Sequence, residues 1–260
     1  YDVYVIVNNC TDNTLEVAKN AGAKIIECKQ KVKSKGEVLK YTFNKLKSND
    51  EIDAYVIFDA DNVVHREFLN KMNDSINCGY EVVQGFRDTK NICDNWLSTS
   101  YAILYYLQSL FINKSRFNFG MSSFLNGTGF MVKKETIDRY GYDPKTITED
   151  IEYTAICAIN GIKIAFNENA ITYDEQVTDF KSSLKQRKRW SFGAIQCLKN
   201  YTGSLIKEGI KNKRFECFDV IIFYFGIIFH VLFTIVSLIG IFYNVFYLNN
   251  FNSMDVVIYF

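Results

Sequence analysis

The sequence lacks both glycine-rich motifs that mark common nucleotide-binding folds. Neither a G-x-G-x-x-G nor a G-x-x-x-x-G-K-[ST] pattern occurs in its 260 residues. The first motif places a dinucleotide pyrophosphate at a helix N-terminus, and the second cradles the phosphates of ATP or GTP. Their absence counts against a dinucleotide dehydrogenase and against a P-loop enzyme.

Paired cysteines and an excess of charge are also missing. The seven cysteines are scattered, with no C-x-x-C and no Cys/His cluster, which is typical of reduced thiols in a cytosolic compartment. The 30 Lys and Arg balance the 29 Asp and Glu to a net charge of +1, so we expect no nucleic-acid partner. No secretory signal precedes the first predicted strand, and we suspect a fragment that begins inside a domain.

The first 60 residues alternate between strand and helix patterns. Strands are predicted at 1–7, 24–28 and 54–58, with helices at about 15–21 and 37–47. This β-α-β-α-β order predicts an α/β fold with a mostly parallel central sheet.

The third predicted strand ends in two carboxylates. Residues 54–62 read AYVIFDADN, in which a short apolar run typical of a buried strand stops at Asp59-Ala60-Asp61. Carboxylates so close together repel each other unless a positive charge lies between them, and a hard divalent cation with oxygen ligands is the usual solution. Asp59 and Asp61 are therefore candidate metal ligands, although a solvated acidic loop also explains the pair.

A glycine-rich segment, Asn126-Gly127-Thr128-Gly129, interrupts a strand-like stretch at 124–132. Glycines within a strand indicate either the close approach of a ligand or a simple β-bulge. Both interpretations stay open.

Thr148-Glu149-Asp150 precedes a predicted helix at about 151–159. Threonine suits an N-cap and acids suit the first helical turn, which is a sufficient structural explanation. The functional alternative is a catalytic carboxylate at the start of the helix.

Basic residues concentrate in a later helix. Residues 181–214 contain ten Lys or Arg and one acid. Within this stretch Gln186, Arg189 and Trp190 are three and four residues apart, so we expect them on one helix face. Arginine offers a planar fork for phosphate oxygens, and tryptophan offers a flat surface for a sugar or base. The alternative is an amphipathic helix resting on anionic lipid.

Residues 220–245 contain no Asp, Glu, Lys or Arg. Their length predicts a transmembrane helix over 218–248, with a buried soluble helix as the alternative. Basic residues are concentrated on the N-terminal side of this predicted helix. Because positively charged flanks stay on the cytoplasmic side of a membrane, we expect residues 1–217 in the cytoplasm. We therefore divide the chain into a catalytic domain (1–180), basic interfacial helices (181–217), the span (218–248) and the start of a second span (249–260).

The order of these pieces resembles the membrane-bound glycosyltransferases of family 2, which include the processive synthases of cellulose, chitin and hyaluronan and their bacterial relatives. The family marks stand here as Asp59-Ala60-Asp61, Thr148-Glu149-Asp150 and Gln186-Arg187-Lys188-Arg189-Trp190. The stretches QGFRDTKN and SFLNGTGFMV resemble a bacterial branch. The resemblance implies a GT-A type nucleotide-sugar-binding fold.

On the donor side, the resemblance implies that Asp59 contacts the ribose or the metal. Asp61 would bind Mg²⁺ or Mn²⁺ bridging the diphosphate. Gln186 and Arg189 would hold the same diphosphate.

On the acceptor side, the resemblance implies that Asp150 is the general base, with Glu149 in support. Trp190 would line the acceptor site, together with Asn126 and Gly127. A single displacement would invert the anomeric centre.

Two departures from the family pattern concern the nucleotide. The family usually begins with a further strand, which is absent here, so part of the base-binding wall is missing. Asn8 also stands where the family tends to carry an acid. Asn8, Asp12 and Lys35 are our remaining candidates for nucleotide contact.

We therefore expect an inverting, metal-dependent hexosyltransferase at the cytoplasmic face of the inner membrane. Its donor would be UDP-glucose or UDP-N-acetylglucosamine, and its acceptor a lipid or a polysaccharide. The alternatives are a catalytically silent membrane scaffold that binds a nucleotide sugar or a partner protein, and a soluble nucleotidyltransferase.

Overall fold

A computed structural model describes residues 1–32 and 34–247. The strands are β1 (Tyr4–Val7), β2 (Lys24–Glu27), β3 (Ala54–Ile57), β4 (Val63–Val64), β5 (Val82–Thr89), β6 (Phe130–Lys133) and β7 (Ile164–Asp174). The helices are α1 (Thr14–Asn20), α2 (Lys35–Leu46), α3 (Phe68–Asn77), α4 (Trp96–Leu107), α5 (Ser115–Asn118), α6 (Lys134–Tyr140), α7 (Glu149–Asn160), α8 (Phe180–Asn212) and α9 (Phe215–Tyr247). A π-helix, Gln108–Lys114, joins α4 to α5. The second span expected at 249–260 lies outside the described residues.

The strands form two sheets. β1 and β2 pair in parallel, as the first crossover predicts. The larger sheet has the order β3-β6-β5-β7-β4. Within it only β5 and β7 are parallel neighbours among the described strands, while the other three pairs are antiparallel.

The expectation of a mostly parallel central sheet is therefore wrong for the larger sheet. The chain leaves β5 through α4, the π-helix and α5, and it returns as β6 between β3 and β5. β6 runs opposite to both neighbours. No local pattern in the sequence specifies this insertion.

The core lies on both faces of the larger sheet, as the α/β expectation requires. Val82 packs on one face with residues of α2 and α7, including Phe43 and Tyr153. Its neighbour Val83 packs on the opposite face with Phe68 and Met72 of α3. Successive side chains of a strand point to opposite faces, so β5 is a central strand buried on both sides.

The C-terminal region begins with α8, one continuous helix of 33 residues. The following helix, α9, packs its first turns on the rest of the fold. Val220 and Tyr224 are buried there, Asp219 pairs with Arg116, and the Tyr224 hydroxyl donates to the Ile151 carbonyl at 2.8 Å.

Among the described residues, no helix combines the length and the apolar character needed to cross a membrane. The transmembrane helix expected at 218–248 is not confirmed. The beginning of that range contacts protein, because α9 starts in a cluster shared with α7 and α8.

Candidate active site

Asp59 and Asp61 lie in a tight turn at the carboxyl end of β3, as the sequence predicts. The Asp59 N–H donates to Asn62 Oδ1 at 3.0 Å and to Thr128 Oγ1 at 3.1 Å. The Asn62 amide donates in turn to Asp174 Oδ1 at 2.9 Å. These bonds fix the turn against β7 and leave the Asp61 side chain exposed.

Lys35 joins this acidic turn to the glycine-rich segment. Its ammonium lies 2.5 Å from Asp59 Oδ1 and 2.6 Å from the Gly127 carbonyl oxygen. Gly127 has a φ of +81°, and a Cβ at this position would lie 3.1 Å from Asp150 Oδ2. Glycine is required by both the left-handed backbone and this close approach. Asp59, Lys35, Gly127 and Asp150 thus form one continuous cluster.

Glu149 and Asp150 occupy the first turn of α7, and their environment favours protonation. Burial and the neighbouring Asp150 carboxylate raise the pKa of Glu149 to about 7, while Lys35 opposes the rise. Burial also raises the pKa of Asp150, opposed by the Ile151 N–H, which donates to Asp150 Oδ1 at 2.9 Å, and by Lys35. The pKa of Glu149 thus lies close to neutral pH, and burial makes Asp150 a better proton acceptor than an exposed aspartate.

Thr148 stands at the N-cap position of α7, but its side chain makes no capping hydrogen bond. It packs instead against α8, where a Cβ on Gly193 would overlap the Thr148 side chain. The loop is fastened further by the Ile147 N–H, which donates to Gln196 Oε1 at 3.1 Å, and by the Tyr201 hydroxyl, which donates to buried Glu152. Helix α8 and the start of α7 therefore form a rigid junction.

The acidic turn has the donor chemistry of a divalent-cation site. Burial, Asp174 and Asp59 raise the pKa of Asp61, and a nearby cation would relieve this crowding of negative charge. No group of three or more His, Cys, Asp or Glu side chains suited to a metal is present in the part of the chain that the structure describes. Two carboxylates fit Mg²⁺ or Mn²⁺ when a diphosphate and waters complete the shell.

A buried ion pair that the sequence analysis missed supports the site. Arg87 donates through Nε to Asp174 Oδ2 at 2.9 Å and through Nη1 to the Asn126 carbonyl oxygen at 3.0 Å. Its guanidinium lies 3.8 Å from the ring centroid of Tyr105. One signal for this ion pair was available in the stretch QGFRDTKN: Arg87 is a charged residue within a strand of largely buried residues.

Helix α8 reaches the site through aromatic contacts. Trp190 packs edge-on against Tyr101 and Tyr105, with ring centroids 6.1 and 6.4 Å apart. Because Arg87 covers Tyr105, Trp190 is connected to the segment that carries Asn126.

Gln186, Arg189 and Trp190 share one face of the continuous helix α8, as the sequence predicts, but they differ in exposure. Gln186 and Trp190 are half-buried, and Gln186 Oε1 has no hydrogen-bond partner. Arg189 is exposed. The neighbouring Arg187 is also exposed, but its Nε donates to the buried Tyr101 hydroxyl at 3.2 Å.

The two remaining nucleotide candidates lie near β1. The Asn8 amide donates to the carbonyl oxygens of Cys28 at 2.8 Å and Gln30 at 3.2 Å, which ties the end of β1 to the loop before α2. Asp12 is exposed and accepts bonds from the Thr14 N–H and hydroxyl at the start of α1. No recorded contact within the described residues brings Asp12 to the acidic cluster.

Comparisons with known proteins agree with this architecture. The chain is 23% identical over 253 residues to the probable glycosyltransferase YdaM of Bacillus subtilis, covering 87% of this chain and 56% of that protein. It therefore spans little more than half the length of this curated relative.

A solved structure with a TM-score above 0.5 shares this fold at low identity. A mannosyltransferase from Pyrobaculum calidifontis, in complex with GDP-Man and Mn²⁺, matches 76% of this chain and 55% of its own, with a TM-score of 0.55 and 14% identity. Glucosyl-3-phosphoglycerate synthase from Mycobacterium tuberculosis matches 75% of this chain and 68% of its own, with a TM-score of 0.49 and 16% identity.

The family model described as "Glycosyltransferase like family 2" matches residues 1–193. Since this match covers well over half of the 260 residues, the chain belongs to the glycosyltransferase-like family 2.

Proposed function

We propose that the protein transfers a sugar from a nucleotide sugar to a hydroxyl acceptor with inversion at the anomeric carbon. The observation that carries the proposal is the bridge made by Lys35. It joins Asp59 of the acidic turn to Gly127, and the half-buried Asp150 lies so close to Gly127 that a Cβ there would be 3.1 Å from Asp150 Oδ2. A group suited to the leaving diphosphate thus lies next to a group suited to take a proton.

Asp59 and Asp61 would hold Mg²⁺ or Mn²⁺ together with the diphosphate. The bound cation would supply Lewis-acid stabilisation of the leaving group. Lys35 contributes positive charge at the same place, and we assign Gln186 and Arg189 to the diphosphate as well. The complex of the mannosyltransferase relative with GDP-Man and Mn²⁺ supports a nucleotide sugar and a divalent cation.

Asp150 accepts the proton of the acceptor hydroxyl while the oxygen of that hydroxyl forms a bond to the anomeric carbon. The bond from that carbon to the diphosphate breaks at the same time, and the diphosphate leaves with the electron pair. Glu149 supports the base, and Trp190, Asn126 and Gly127 line the acceptor side. Positive charge placed where negative charge develops lowers the barrier.

We propose UDP-glucose or UDP-N-acetylglucosamine as the donor and a lipid or glycan as the acceptor. The test is a screen of the full-length protein in native membranes with radiolabelled UDP-sugars, with and without Mn²⁺ and EDTA. We expect UDP release and labelled lipid or glycan, both lost on adding EDTA. UDP binding without any transfer would contradict the proposal and indicate a silent scaffold.

We also propose that the protein works at the cytoplasmic face of a membrane. Apolar side chains are exposed along the last two helices, including Phe192, Ile195, Ile222 and Phe229, and α8 carries the basic residues. An exposed apolar and basic surface binds anionic lipid. Flotation with phosphatidylglycerol vesicles should recover the protein at low salt, and its absence from the floating fraction would contradict this location.

A further inference from the structure

The segment 122–129 is held by side-chain amides. Asn113 accepts from the Phe124 N–H at 3.0 Å and donates to the Phe124 carbonyl at 3.2 Å. Gln84 accepts from the Asn126 N–H at 2.9 Å and donates to the Thr128 carbonyl at 3.0 Å. Backbone groups buried away from water need such partners. The position of Asn126 is therefore set by specific polar side chains.

A π-helix supplies part of this framework. Gln108, its first residue, donates from Nε2 to Asn126 Oδ1 at 3.1 Å, and Asn113 belongs to the same π-helix. Wider helical turns of this kind are rare and are frequently found at functional sites. Here the π-helix brings two amide side chains onto one short segment of backbone.

Asn126 is fixed at three of its four polar groups. Its N–H is bound by Gln84, its carbonyl by Arg87 and its Oδ1 by Gln108. The side chain is 7% exposed, and Nδ2 has no hydrogen-bond partner. A buried donor without a partner is costly, so this arrangement favours a ligand that supplies an oxygen.

The residues next to Asn126 indicate which ligand oxygen its Nδ2 would bind. The next residue, Gly127, approaches Asp150 Oδ2. The preceding residue, Leu125, donates its N–H to Thr154 Oγ1 at 3.2 Å, and that hydroxyl donates to the Asp150 carbonyl oxygen at 2.9 Å. An oxygen bound by Asn126 Nδ2 would therefore lie beside the assigned base.

We propose that Gln108 is a positioning residue that orients the Asn126 amide, so that Nδ2 binds the hydroxyl oxygen of the acceptor next to Asp150. This inference rests on the proposed function. Gln108 acts through Asn126: without its bond to Oδ1, the amide can rotate and the donor loses its direction.

A double-mutant cycle tests this with the full-length protein in native membranes. Gln108→Leu removes the positioning bond and keeps the Asn126 donor. Asn126→Asp keeps an oxygen for Gln108 and removes the donor. Asn118→Leu, in an exposed position of α5, is the matched control. The acceptor is a native lipid extract, and the donor is the UDP-sugar that labels it best.

We expect Gln108→Leu to raise the half-saturating extract concentration about tenfold, the effect of losing one hydrogen bond to substrate. The Kd for UDP with Mn²⁺ should stay unchanged. In the Asn126→Asp background, Gln108→Leu should add little, because coupled residues are not additive. Asn118→Leu should behave as wild type.

Two results would overturn the inference while the proposed function stands. One is an additive cycle in an enzyme that transfers normally, and the other is an equal loss of UDP binding in Gln108→Leu. A wild-type protein that binds UDP and labels nothing would overturn the proposed function itself, and this inference with it.

Discussion

The two acidic pairs of the site contain the same chemical group in two different environments. Asp59 and Asp61 lie in an open turn, where Asp61 is exposed and Asp59 is half-exposed and paired with Lys35. Glu149 and Asp150 lie at the start of a packed helix, where Glu149 is 8% exposed and Asp150 is half-buried. The first pair can exchange its partners with solvent, whereas the second pair is held by the protein.

This difference in burial separates two chemical tasks. An ionised carboxylate near water is suited to a cation that arrives with its own waters and phosphate. A carboxylate packed at the start of a helix, with its pKa raised by burial, is better suited to accept a proton than an exposed one. Lys35 contributes to both pairs, since it binds Asp59 and opposes the pKa rise of Glu149 and Asp150.

The largest effect expected from this comparison is that of Asp150→Asn. Removing a general base costs about 10³-fold in turnover, whereas metal-dependent UDP binding should remain because the acidic turn is untouched. Initial rates and UDP titrations in Mn²⁺ measure the two quantities. Normal turnover in this variant would show that the base is wrongly assigned. Asp50→Asn, on an exposed loop, is the control.

Asp61→Asn should impair metal-dependent UDP binding, which Asp150→Asn leaves intact. Loss of one metal-ligating carboxylate should weaken Mn²⁺-dependent UDP binding by about 100-fold, equivalent to about 2.8 kcal/mol. UDP binding in EDTA should equal that of wild type. Calorimetric titration of UDP with and without Mn²⁺ measures the difference. If Mn²⁺ strengthens UDP binding equally in wild type and in Asp61→Asn, the acidic turn does not bind the metal, and the two acidic pairs do not have the separate roles described.

The smallest expected effect concerns the pH dependence of stability. The folded-state pKa of Glu149 is about 7, above its ordinary value of 4.5. The folded protein therefore binds more protons than the unfolded chain between these values, and the free energy of unfolding falls as pH rises through this window.

Glu149→Gln should lack this decrease. The difference in Tm between pH 5 and pH 8 should be smaller in the variant than in wild type by about 2 °C or more. Asp150→Asn should reduce the decrease in part, since it removes the neighbouring charge that raises the pKa of Glu149. Identical Tm differences in all three proteins would contradict the buried state of Glu149.

The sequence was sufficient for features that depend on short-range patterns. Asp59 and Asp61 follow an apolar run, and Glu149 and Asp150 begin a periodic one, so their positions at the ends of elements could be predicted. The α/β class followed from the alternation in the first 60 residues. Each of these inferences needs only neighbours along the chain.

Features that depend on distant pairs were missed. Arg87 and Asp174 are 87 positions apart, and no local pattern reveals that their charges meet in the core. The same holds for the insertion of β6 between β3 and β5, which made the larger sheet mixed. The apolar run of α9 was interpreted from hydropathy alone, which does not reveal that Val220 and Tyr224 pack on α7 and α8.

The junction between Gly193 and Thr148 has a mechanical consequence. No space remains there for even one additional methyl group, so α8 cannot slide past the start of α7 without a steric clash. A push of α8 toward α7 therefore acts directly on the Thr148 side chain, two residues before Asp150, with no gap between the helices at this point.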